Sequence, residues 1–478
     1  MALPTARAFG SAGVLRLACA ALLAAASRAA DPATDEVTAL PGWSDAFRSR
    51  IFSGFLRGSD ATRHVSYFFV QSESSTPNDD RVVVWLNGGP GCSSLIGAWL
   101  EQGPFTMGGD GLLSENAGRW SASNSNVLFL ESPPGVGFSY VDAGAAPLPY
   151  LANDTTTSAD SLGALADFFA SFAQLSNSSD LWLSGESYAG IYVPWLARAL
   201  LASPDHAALA ARLKGILVGN GALMTSDVYE GGLTQQRMQH ASNHGLFSAA
   251  LRAQIDAACT NWTAPRAPAC DALLATEQQQ IGPLNSYDIE VSCIGYGASA
   301  QQRALLRSSG RAAEADALER RVRAGANPCS AADDALTAYM NRADVQAALH
   351  VGAGAAVIGP WSECAGGSLQ YTRIPCDEMT DVYPGLLSKI AVLVYNGDQD
   401  ECIPYLQDES WTARMGFAVK QDWRPWVLDN QVAGYVTEYD APVRFAFLTV
   451  KQAGHEVPMY QPLRGLAMLQ RFVEGRPF

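Results

Sequence analysis

Charged side chains are scarce in this sequence, and basic ones are the scarcer kind. Only 17% of the 478 residues are charged, and the formal net charge is −15. A chain with so little charge and 48% hydrophobic residues is neither disordered nor fibrous, and it is long enough to bury a large core. Because phosphate binding requires a basic patch, this charge balance disfavours nucleic acids and anionic membranes as partners.

Long apolar runs are also missing beyond the N-terminus. After residue 26 no segment has the roughly 20 apolar residues needed to cross a bilayer, so we expect no membrane span. Residues 1–26 contain Arg7 and Arg16 and a short run rich in Leu and Ala that ends in small residues, which is typical of a secretory signal peptide. Loss of these two arginines changes the formal net charge from −15 to −17. We therefore expect a protein of the secretory pathway that is secreted or delivered to a lysosome or vacuole.

Histidine is rare, and no two cysteines have the close spacing of a zinc site. With six histidines and no Cys-x-x-Cys pair, the sequence implies no metal, and no cofactor is implied either. Cys19 lies in the signal peptide, which leaves eight cysteines, and an even number in a secreted chain favours four disulfides. Asn153, Asn177 and Asn261 begin Asn-x-Ser/Thr sequons and are candidate glycosylation sites in that compartment.

One strand–turn–helix pattern dominates the middle of the chain. An apolar run beginning at residue 181 leads into Gly185-Glu186-Ser187-Tyr188-Ala189, and a helical pattern covers residues 188–201. In a nucleophile elbow the serine occupies a strained turn, with small residues two positions before and after it. The general signature has glycine at both positions, whereas this sequence has glycine and alanine. Because similar strings also occur in ordinary turns, the assignment needs support from other motifs.

A glycine-rich segment follows another predicted strand. The apolar run at residues 82–86 ends in Asn87-Gly88-Gly89-Pro90-Gly91, which can continue neither a strand nor a helix. This segment is either a plain connection or an oxyanion loop, which supplies one backbone N–H while the residue after the nucleophile supplies another. In the second interpretation the two donors are Gly89 and Tyr188.

Strands and helices alternate along most of the chain. Strands are predicted at residues 65–70, 82–86, 126–130, 216–218, 390–395 and 445–450, with a helix at 157–172 in addition to the elbow. This alternation predicts a parallel α/β sheet. Polar, alanine-rich segments predict a mainly helical insertion, or cap, over residues 224–385, between core parts 27–223 and 386–478. Six arginines at residues 298–326 indicate an exposed loop or helix there, or alternatively a segment for proteolytic processing.

Polar residues follow the last two strands of the predicted core. Asp398 and Asp400 come directly after the strand at 390–395, and His455 follows the strand at 445–450. The order Ser, Asp, His, each after a strand, is the order in which α/β-hydrolases place their catalytic triad. The sequence therefore predicts an α/β-hydrolase fold with Ser187 as its nucleophile.

With the motifs at residues 87–94, 185–190, 397–400 and 454–458 in place, the sequence from about residue 42 onwards resembles the serine carboxypeptidase family, which includes cathepsin A. The resemblance implies that Ser187 is the nucleophile, that His455 is the general base and acid, and that Asp400 orients the imidazole. The family motif Gly-Asp-x-Asp uses its second aspartate, so Asp398 is expected to hold the turn.

The resemblance also implies a pocket for the free carboxylate of the substrate, formed by Asn87, Gly88, Glu101 and Glu186. Two neighbouring carboxyl groups cannot both ionise without a large cost, so one should keep its proton and donate a hydrogen bond to the substrate. Acid conditions favour that state. The implied activity is release of C-terminal amino acids from peptides and proteins through an acyl-enzyme at acidic pH.

Two other functions remain open. Some members of the family pass the acyl group to an alcohol and so act as acyltransferases, and cathepsin A also acts as a protective partner of glycosidases. A homodimer is a further expectation. The resemblance places Glu456 and Ile96 at the pocket for the leaving residue, which predicts acceptance of both basic and apolar residues. In the alternative interpretation Glu456 is a solvated surface carboxylate.

The family resemblance implies three disulfides, Cys92–Cys364, Cys259–Cys270 and Cys293–Cys329, and we also expect Cys376–Cys402. Eight cysteines allow 105 pairings, so spacing alone does not choose among them. If the arginine-rich segment is cleaved, Cys293–Cys329 or a neighbouring bridge is expected to hold the two resulting chains together.

Overall fold

A mixed sheet of 12 strands is the centre of the protein. The computed structural model describes residues 30–175, 179–223, 232–263, 265–282, 284–291 and 331–478. The strands in chain order are β1 (Glu36–Val37), β2 (Ile51–Arg57), β3 (Arg63–Val70), β4 (Arg81–Leu86), β5 (Phe105–Met107), β6 (Leu113–Glu115), β7 (Ser125–Glu131), β8 (Tyr140–Val141), β9 (Tyr150–Asn153), β10 (Leu181–Glu186), β11 (Leu213–Gly219), β12 (Leu369–Thr372), β13 (Ala391–Gly397), β14 (Val419–Leu428), β15 (Gln431–Tyr439) and β16 (Phe445–Val450).

The middle of this sheet is parallel and its two ends are antiparallel. The strand order is β1-β2-β3-β7-β4-β10-β11-β13-β16-β15-β14, with β8 paired to β3. The strands from β7 to β16 in this order are parallel to their neighbours. All residues of β7, β10 and β16 are buried, as expected for strands covered on both faces. The predicted parallel α/β sheet is therefore confirmed.

Helices cover both faces of the sheet. In chain order they are α1 (Asp154–Ser171), α2 (Ala189–Ala202), α3 (Ala207–Ala210), α4 (Leu233–Asn243), α5 (Ala249–Ala258), α6 (Pro268–Ile281), α7 (Ala331–Met340), α8 (Ala343–Ala348), α9 (Gly352–Ile358), α10 (Glu378–Asp381), α11 (Tyr383–Leu387), α12 (Tyr405–Arg414), α13 (Val457–Tyr460) and α14 (Pro462–Val473). Phe168 of α1 and Leu196 of α2 pack in one apolar core, and Met468 and Phe472 of α14 pack in the other. No described helix is both long enough and apolar enough to cross a bilayer.

The insertion has a small core of its own. Met238, Ile255 and Leu274, from α4, α5 and α6, pack together beside the Cys259–Cys270 disulfide. The insertion is helical here, but it also contributes β12, which pairs in parallel with β9 of the core and was not predicted. The boundaries proposed for the insertion stay a prediction.

Some sequence predictions fall outside the described residues. These are the signal peptide, the sequon at Asn177, the arginine-rich residues 298–326 and the pair Cys293–Cys329. The sequon residue Asn153 caps α1, where its side chain accepts a hydrogen bond from the Thr156 N–H at 2.9 Å. Asn261 is exposed, and glycosylation at both sites stays a prediction.

Two of the expected disulfides are present and one expectation is wrong. Cys92–Cys364 joins the glycine-rich loop to the insertion across 272 residues, and Cys259–Cys270 spans 11 residues. Cys376 and Cys402 are free cysteines instead of a pair.

The two free cysteines have different surroundings. Cys402 follows β13, at the carboxyl edge of the parallel strands, and its carbonyl oxygen accepts a hydrogen bond from Arg237. The Cys376 thiol lies beside Asp381 and Arg198. Each cysteine therefore packs against a different part of the chain, and the expected bridge does not form.

Candidate active site

The turn that carries Ser187 is strained. Strand β10 ends at Glu186 and α2 begins at Ala189. Ser187 between them has φ +59°, in the left-handed region that residues other than glycine rarely adopt. Two backbone hydrogen bonds hold it there, because the Ser187 N–H donates to Gly219 O at 3.0 Å and the Ala222 N–H donates to Ser187 O at 2.8 Å. A strained turn between strand and helix is the geometry of a nucleophile elbow.

Small residues beside this turn are required by close contacts. A Cβ at Gly185 would lie 2.6 Å from the Cβ of Ala189, closer than two carbon atoms can approach. A Cβ at Gly88 would lie 2.4 Å from the backbone nitrogen of Tyr188 and 2.7 Å from the Cβ of Ser187. The glycine-rich loop therefore lies directly against the turn, and no side chain separates the two backbones.

Two backbone N–H groups beside Ser187 are available to bind an anion. Gly89 has φ +109°, which favours glycine, and its N–H donates no hydrogen bond to any described residue. The N–H of Tyr188, the first residue after the serine, also donates no hydrogen bond to any described residue. Paired N–H donors at this position can stabilise the negative oxygen of a tetrahedral intermediate.

His455 and Asp400 form a buried pair. The His455 Nδ1–H donates to Asp400 Oδ2 at 2.7 Å, and both side chains are almost fully buried. Asp400 also accepts hydrogen bonds from the Asn220 side-chain amide at 2.8 Å and from the N–H groups of Cys402 at 2.7 Å and Ile403 at 3.2 Å. The other imidazole nitrogen, Nε2, is buried and has no partner among the described residues. Its lone pair is thus free to take a proton.

The surroundings of His455 favour the protonated imidazole. Burial alone would lower the pKa of His455, but the negative charge and hydrogen bond of Asp400 outweigh it and raise the pKa above its ordinary value. Negative charge on Glu456 and Glu101 raises it further. The pKa of the candidate base therefore depends on whether these two glutamates are ionised.

Asp398 does not contact His455. Its carboxylate accepts hydrogen bonds from the Gln452 N–H at 2.7 Å and from the Gln399 side chain at 2.9 Å. It therefore joins the loop after β13 to the loop that precedes His455. This agrees with the expectation that Asp398 holds the turn while Asp400 faces the imidazole.

Asn87, Glu101 and Glu186 form a buried cluster at the carboxyl edge of the sheet. The Asn87 Nδ2 group donates to Glu101 Oε1 at 3.0 Å and to Glu186 Oε1 at 2.8 Å. The Trp85 indole N–H at 2.7 Å and the Gly97 N–H at 3.2 Å donate to Asn87 Oδ1, and they fix which way the amide points. The Oε2 atoms of both glutamates are buried and lack a partner among the described residues.

This cluster keeps at least one proton at neutral pH. Burial raises the pKa of Glu101 to about 8, and repulsion from Glu456 contributes. Burial also raises the pKa of Glu186 well above its usual range, with further contributions from the charges of Glu101 and Glu456. A protonated carboxyl group with an unpartnered oxygen can donate a hydrogen bond to a carboxylate.

The comparisons with known proteins agree with this geometry. The chain matches the family model described as serine carboxypeptidase over residues 41–475. It belongs to the serine carboxypeptidase family. It is 35% identical to the lysosomal protective protein of Mus musculus, covering 96% of this chain and 97% of the relative. It is 34% identical to serine carboxypeptidase-like 21 of Arabidopsis thaliana, covering 93% and 94%.

Among solved structures the chain is similar to Kex1(delta)p, described as a prohormone-processing carboxypeptidase from Saccharomyces cerevisiae. The TM-score is 0.68 at 22% identity, covering 93% of this chain and 97% of the other. This likeness shows a shared fold, so the predicted α/β-hydrolase architecture of the serine carboxypeptidases is confirmed.

The residues predicted to set specificity are half-buried. Burial raises the pKa of Glu456 to about 7, which the neighbouring His455 opposes and the charge of Asp333 reinforces. Glu456 is therefore not the freely solvated surface carboxylate of the alternative interpretation. Ile96 packs partly against the core on the α14 side of the sheet. Glu456 directly follows His455, and Ile96 precedes the short helical segment Gly97–Glu101 that follows the glycine-rich motif.

Two residues beside this candidate site could not be named from the sequence alone. Asn220 has φ +41° and uses its side chain to bind both Asp400 and the Gly397 N–H, at 3.0 Å. Its position at the end of β11 was a usable signal, because polar residues at that edge of a parallel sheet tend to meet. The backbone carbonyl oxygen of Tyr287 accepts a hydrogen bond from the backbone N–H of His455 at 2.7 Å, and the tyrosine ring lies 4.5 Å from the imidazole. It comes from the insertion, and the sequence gives no signal for it.

Proposed function

We propose that the protein is a serine-type carboxypeptidase that releases C-terminal amino acids from peptides and proteins in an acidic compartment. The observation that carries this proposal is the buried cluster of Asn87, Glu101 and Glu186. Glu186 directly precedes Ser187, and Gly88 packs against the same turn. Hydrolysis of an ester or internal peptide bond needs no buried carboxyl pair here, whereas binding of a free carboxylate needs donors that carry no competing negative charge.

The first half of the reaction follows from the positions of these groups. The scissile carbonyl oxygen would accept hydrogen bonds from the N–H groups of Gly89 and Tyr188, each worth about 3 kcal/mol in the transition state. The Ser187 hydroxyl attacks the carbonyl carbon while His455 Nε2 takes its proton. Asp400 keeps the imidazole oriented and stabilises its positive charge.

The second half releases the terminal residue and then the remaining peptide. His455 gives its proton to the leaving nitrogen, and the C–N bond breaks to leave an ester on Ser187. The carboxylate held by Asn87, Glu101 and Glu186 belongs to the residue that departs. Water then attacks the ester, again with His455 as the base, and frees the serine.

Acidic conditions suit both the pocket and the base. At low pH the carboxyl groups of Glu101 and Glu186 are neutral and can bind a substrate carboxylate. Glu101 and Glu456 then no longer stabilise a charged imidazole, so the pKa of His455 falls and the base stays active to lower pH. We propose that the protonation of these glutamates adapts His455 to acid.

Glu456 and Ile96 are proposed to select the leaving residue. A half-buried carboxylate at this position attracts Lys or Arg when ionised, while Ile96 offers apolar contact. Because the pKa of Glu456 is raised to about 7, the preference should move towards apolar residues as the pH falls through that value. We expect mixed acceptance of basic and apolar residues.

The secretory pathway is the proposed location. The two described disulfides support it because such bonds persist in oxidising compartments. One of the relatives is named a lysosomal protein, and whether this chain is secreted or delivered to a lysosome or vacuole stays a prediction. A homodimer also stays a prediction.

The deciding experiment compares peptides that differ only at the C-terminus. The wild-type protein and Ser187→Ala are incubated at acid pH with a peptide and with the same peptide carrying a C-terminal amide, and released amino acids are measured by mass spectrometry. We expect release from the free acid, little from the amide, and none with Ser187→Ala. Transfer to an added alcohol in preference to water would favour an acyltransferase. No turnover of any acyl substrate would favour a protective partner protein.

A further inference from the structure

Helix α4 of the insertion contacts the loop that carries Asp400 on both sides of that residue. The Arg237 Nε–H donates to the carbonyl oxygen of Cys402 at 2.9 Å, and its Nη2 group binds the same oxygen. His240 Nε2 lies 3.1 Å from the carbonyl oxygen of Asp398. Because a carbonyl only accepts, Nε2 must carry the proton. The two anchored carbonyls belong to the second residue before Asp400 and the second residue after it.

The N–H groups of the same loop are bound elsewhere. The Gln399 N–H donates to Ala453 O at 2.9 Å, and those of Glu401 and Cys402 donate to Ser286 O, each at 2.9 Å. These bonds hold the loop from the side of the His455 loop and residues 284–291. Arg237 and His240 hold it from α4, so the loop is fixed between two groups of contacts.

The burial of His240 makes a role in packing alone a poor explanation. His240 is fully buried, its Nδ1 atom has no partner among the described residues, and its ring lies 4.2 Å from that of His244. A buried polar atom without a partner is destabilising, and an apolar residue of similar size would avoid that cost. The Nε2–H bond to the Asp400 loop is what an apolar residue could not supply.

We propose that Arg237 and His240 are positioning residues that fix the direction of the Asp400 carboxylate towards His455. This inference rests on the proposed function, because it assigns these residues to the Ser187 reaction. A displacement of about 1 Å at such a site can reduce the rate about 100-fold. Displacement of the Asp400 carboxylate would lower the rate by changing the proton affinity of His455. Binding of the terminal carboxylate would be spared, since Asn87, Glu101 and Glu186 do not contact α4.

Four variants test this proposal. Arg237→Gln and His240→Phe remove the charged donor and the imidazole donor, while Arg237→Lys and His240→Gln keep a donor of similar reach. The matched control is Arg252→Gln, on α5, where the arginine binds Asp256 at 2.9 Å within its own helix. Each variant is quantified by active-site titration, so that rates refer to folded enzyme.

Two measurements report on the imidazole. The first is the rate at which a fluorophosphonate labels Ser187, which requires a working triad whatever the natural substrate is. The second is kcat and KM for a blocked dipeptide across pH. The charged groups that face His455 are Asp400, Glu456 and Glu101, and weaker contact with Asp400 lowers the pKa of His455.

For Arg237→Gln and His240→Phe we expect labelling and kcat to fall about 10-fold to 100-fold, with KM within about twofold. The acid limb of kcat/KM should move to lower pH. Arg237→Lys and His240→Gln should recover most of the rate while keeping a smaller shift of the acid limb, and Arg252→Gln should match the wild type.

An unchanged labelling rate per titrated site, with an unmoved acid limb, would overturn the proposal. If Arg237→Gln and His240→Phe do not fold, the labelling rate and the acid limb are measured in Arg237→Lys and His240→Gln. Wild-type values of both in these two variants would overturn the proposal. Failure of the proposed function is distinguishable, because then the wild type would be labelled at Ser187 yet release no terminal amino acid. The labelling rates would still test the positioning role.

Discussion

The Asn87 side-chain amide donates to Glu186 Oε1 at 2.8 Å, one residue before the candidate nucleophile. Asn87 and Glu186 lie at the ends of neighbouring parallel strands, β4 and β10. The same amide binds Glu101 at 3.0 Å, so one asparagine holds both acids in place. The substrate pocket and the nucleophile are therefore built on adjacent strands, and small changes in the acids should alter substrate binding before they alter the fold.

Replacement of both acids should remove the pH dependence of KM. In the wild type a proton of the pair is lost as pH rises through the raised pKa of Glu101, about 8, and a negative charge then faces the substrate carboxylate. We expect KM to rise about tenfold or more between about pH 6 and about pH 9. The variant Glu101→Gln with Glu186→Gln should show a flat KM over that range. Glu115→Gln, which replaces a surface glutamate, is the control, and a double variant that keeps the wild-type profile would contradict the assignment.

The two aspartates of one loop should differ sharply in their effect on the rate. Asp400→Asn keeps the shape of the side chain but favours the wrong imidazole tautomer, so kcat should fall about 10³-fold to 10⁴-fold while KM changes little. Asp398→Asn removes the charge from the loop contact to Gln452 and should lower kcat by less than about tenfold. Steady-state kinetics with one dipeptide measures both. Equal losses in the two variants would show that Asp400 has no special relation to His455.

Glu456 should control both selectivity and the acid limb of activity. In Glu456→Met the ratio of kcat/KM for peptides ending in Arg or Leu should fall at about pH 8, where the wild-type carboxylate is largely ionised, and should change little at acid pH. The acid limb of kcat/KM should also move to lower pH, because one negative charge that raises the pKa of His455 is gone. An unchanged Arg/Leu ratio at both pH values would rule out this role.

The two disulfides should contribute unequally to stability. Cys92–Cys364 closes 272 residues and Cys259–Cys270 closes 11. Loop-closure entropy predicts contributions of about 5–6 kcal/mol and about 3 kcal/mol respectively, as upper values. Denaturant unfolding of the variants Cys92→Ser with Cys364→Ser and Cys259→Ser with Cys270→Ser measures the difference. A larger loss from the second pair would show that local packing in the insertion outweighs loop length.

The sheet and the turn around Ser187 could be predicted because their signals are local. β4 and β16 are mostly apolar, as expected for strands buried on both faces, and the small residues beside Ser187 mark a close contact that a larger side chain would prevent. The predicted order of Ser, Asp and His follows from the same strands. Each strand and the serine turn is encoded within about ten consecutive residues.

The remaining features depend on contacts between distant parts of the chain. Tyr287 and Arg237 lie in the insertion and contact His455 and Cys402 in the core. No hydrophobic periodicity or motif near them in the sequence indicates these contacts. The pairing of β12 with β9 joins residues more than two hundred positions apart in sequence. The wrong pairing of Cys376 with Cys402 has the same cause, because spacing along the chain does not reveal which cysteines meet in the fold.

The order of the strands has a consequence for when the protein can act during its biosynthesis. Strand β16, which leads to His455, lies between β13 and β15 and pairs with both. A ribosome adds about 5–20 residues each second, so the serine turn is made many seconds before the imidazole that activates it. On the proposed mechanism, the nascent chain therefore cannot cleave other chains while it is being made. The proposed activity can begin only when this strand has joined the sheet and brought His455 to Ser187.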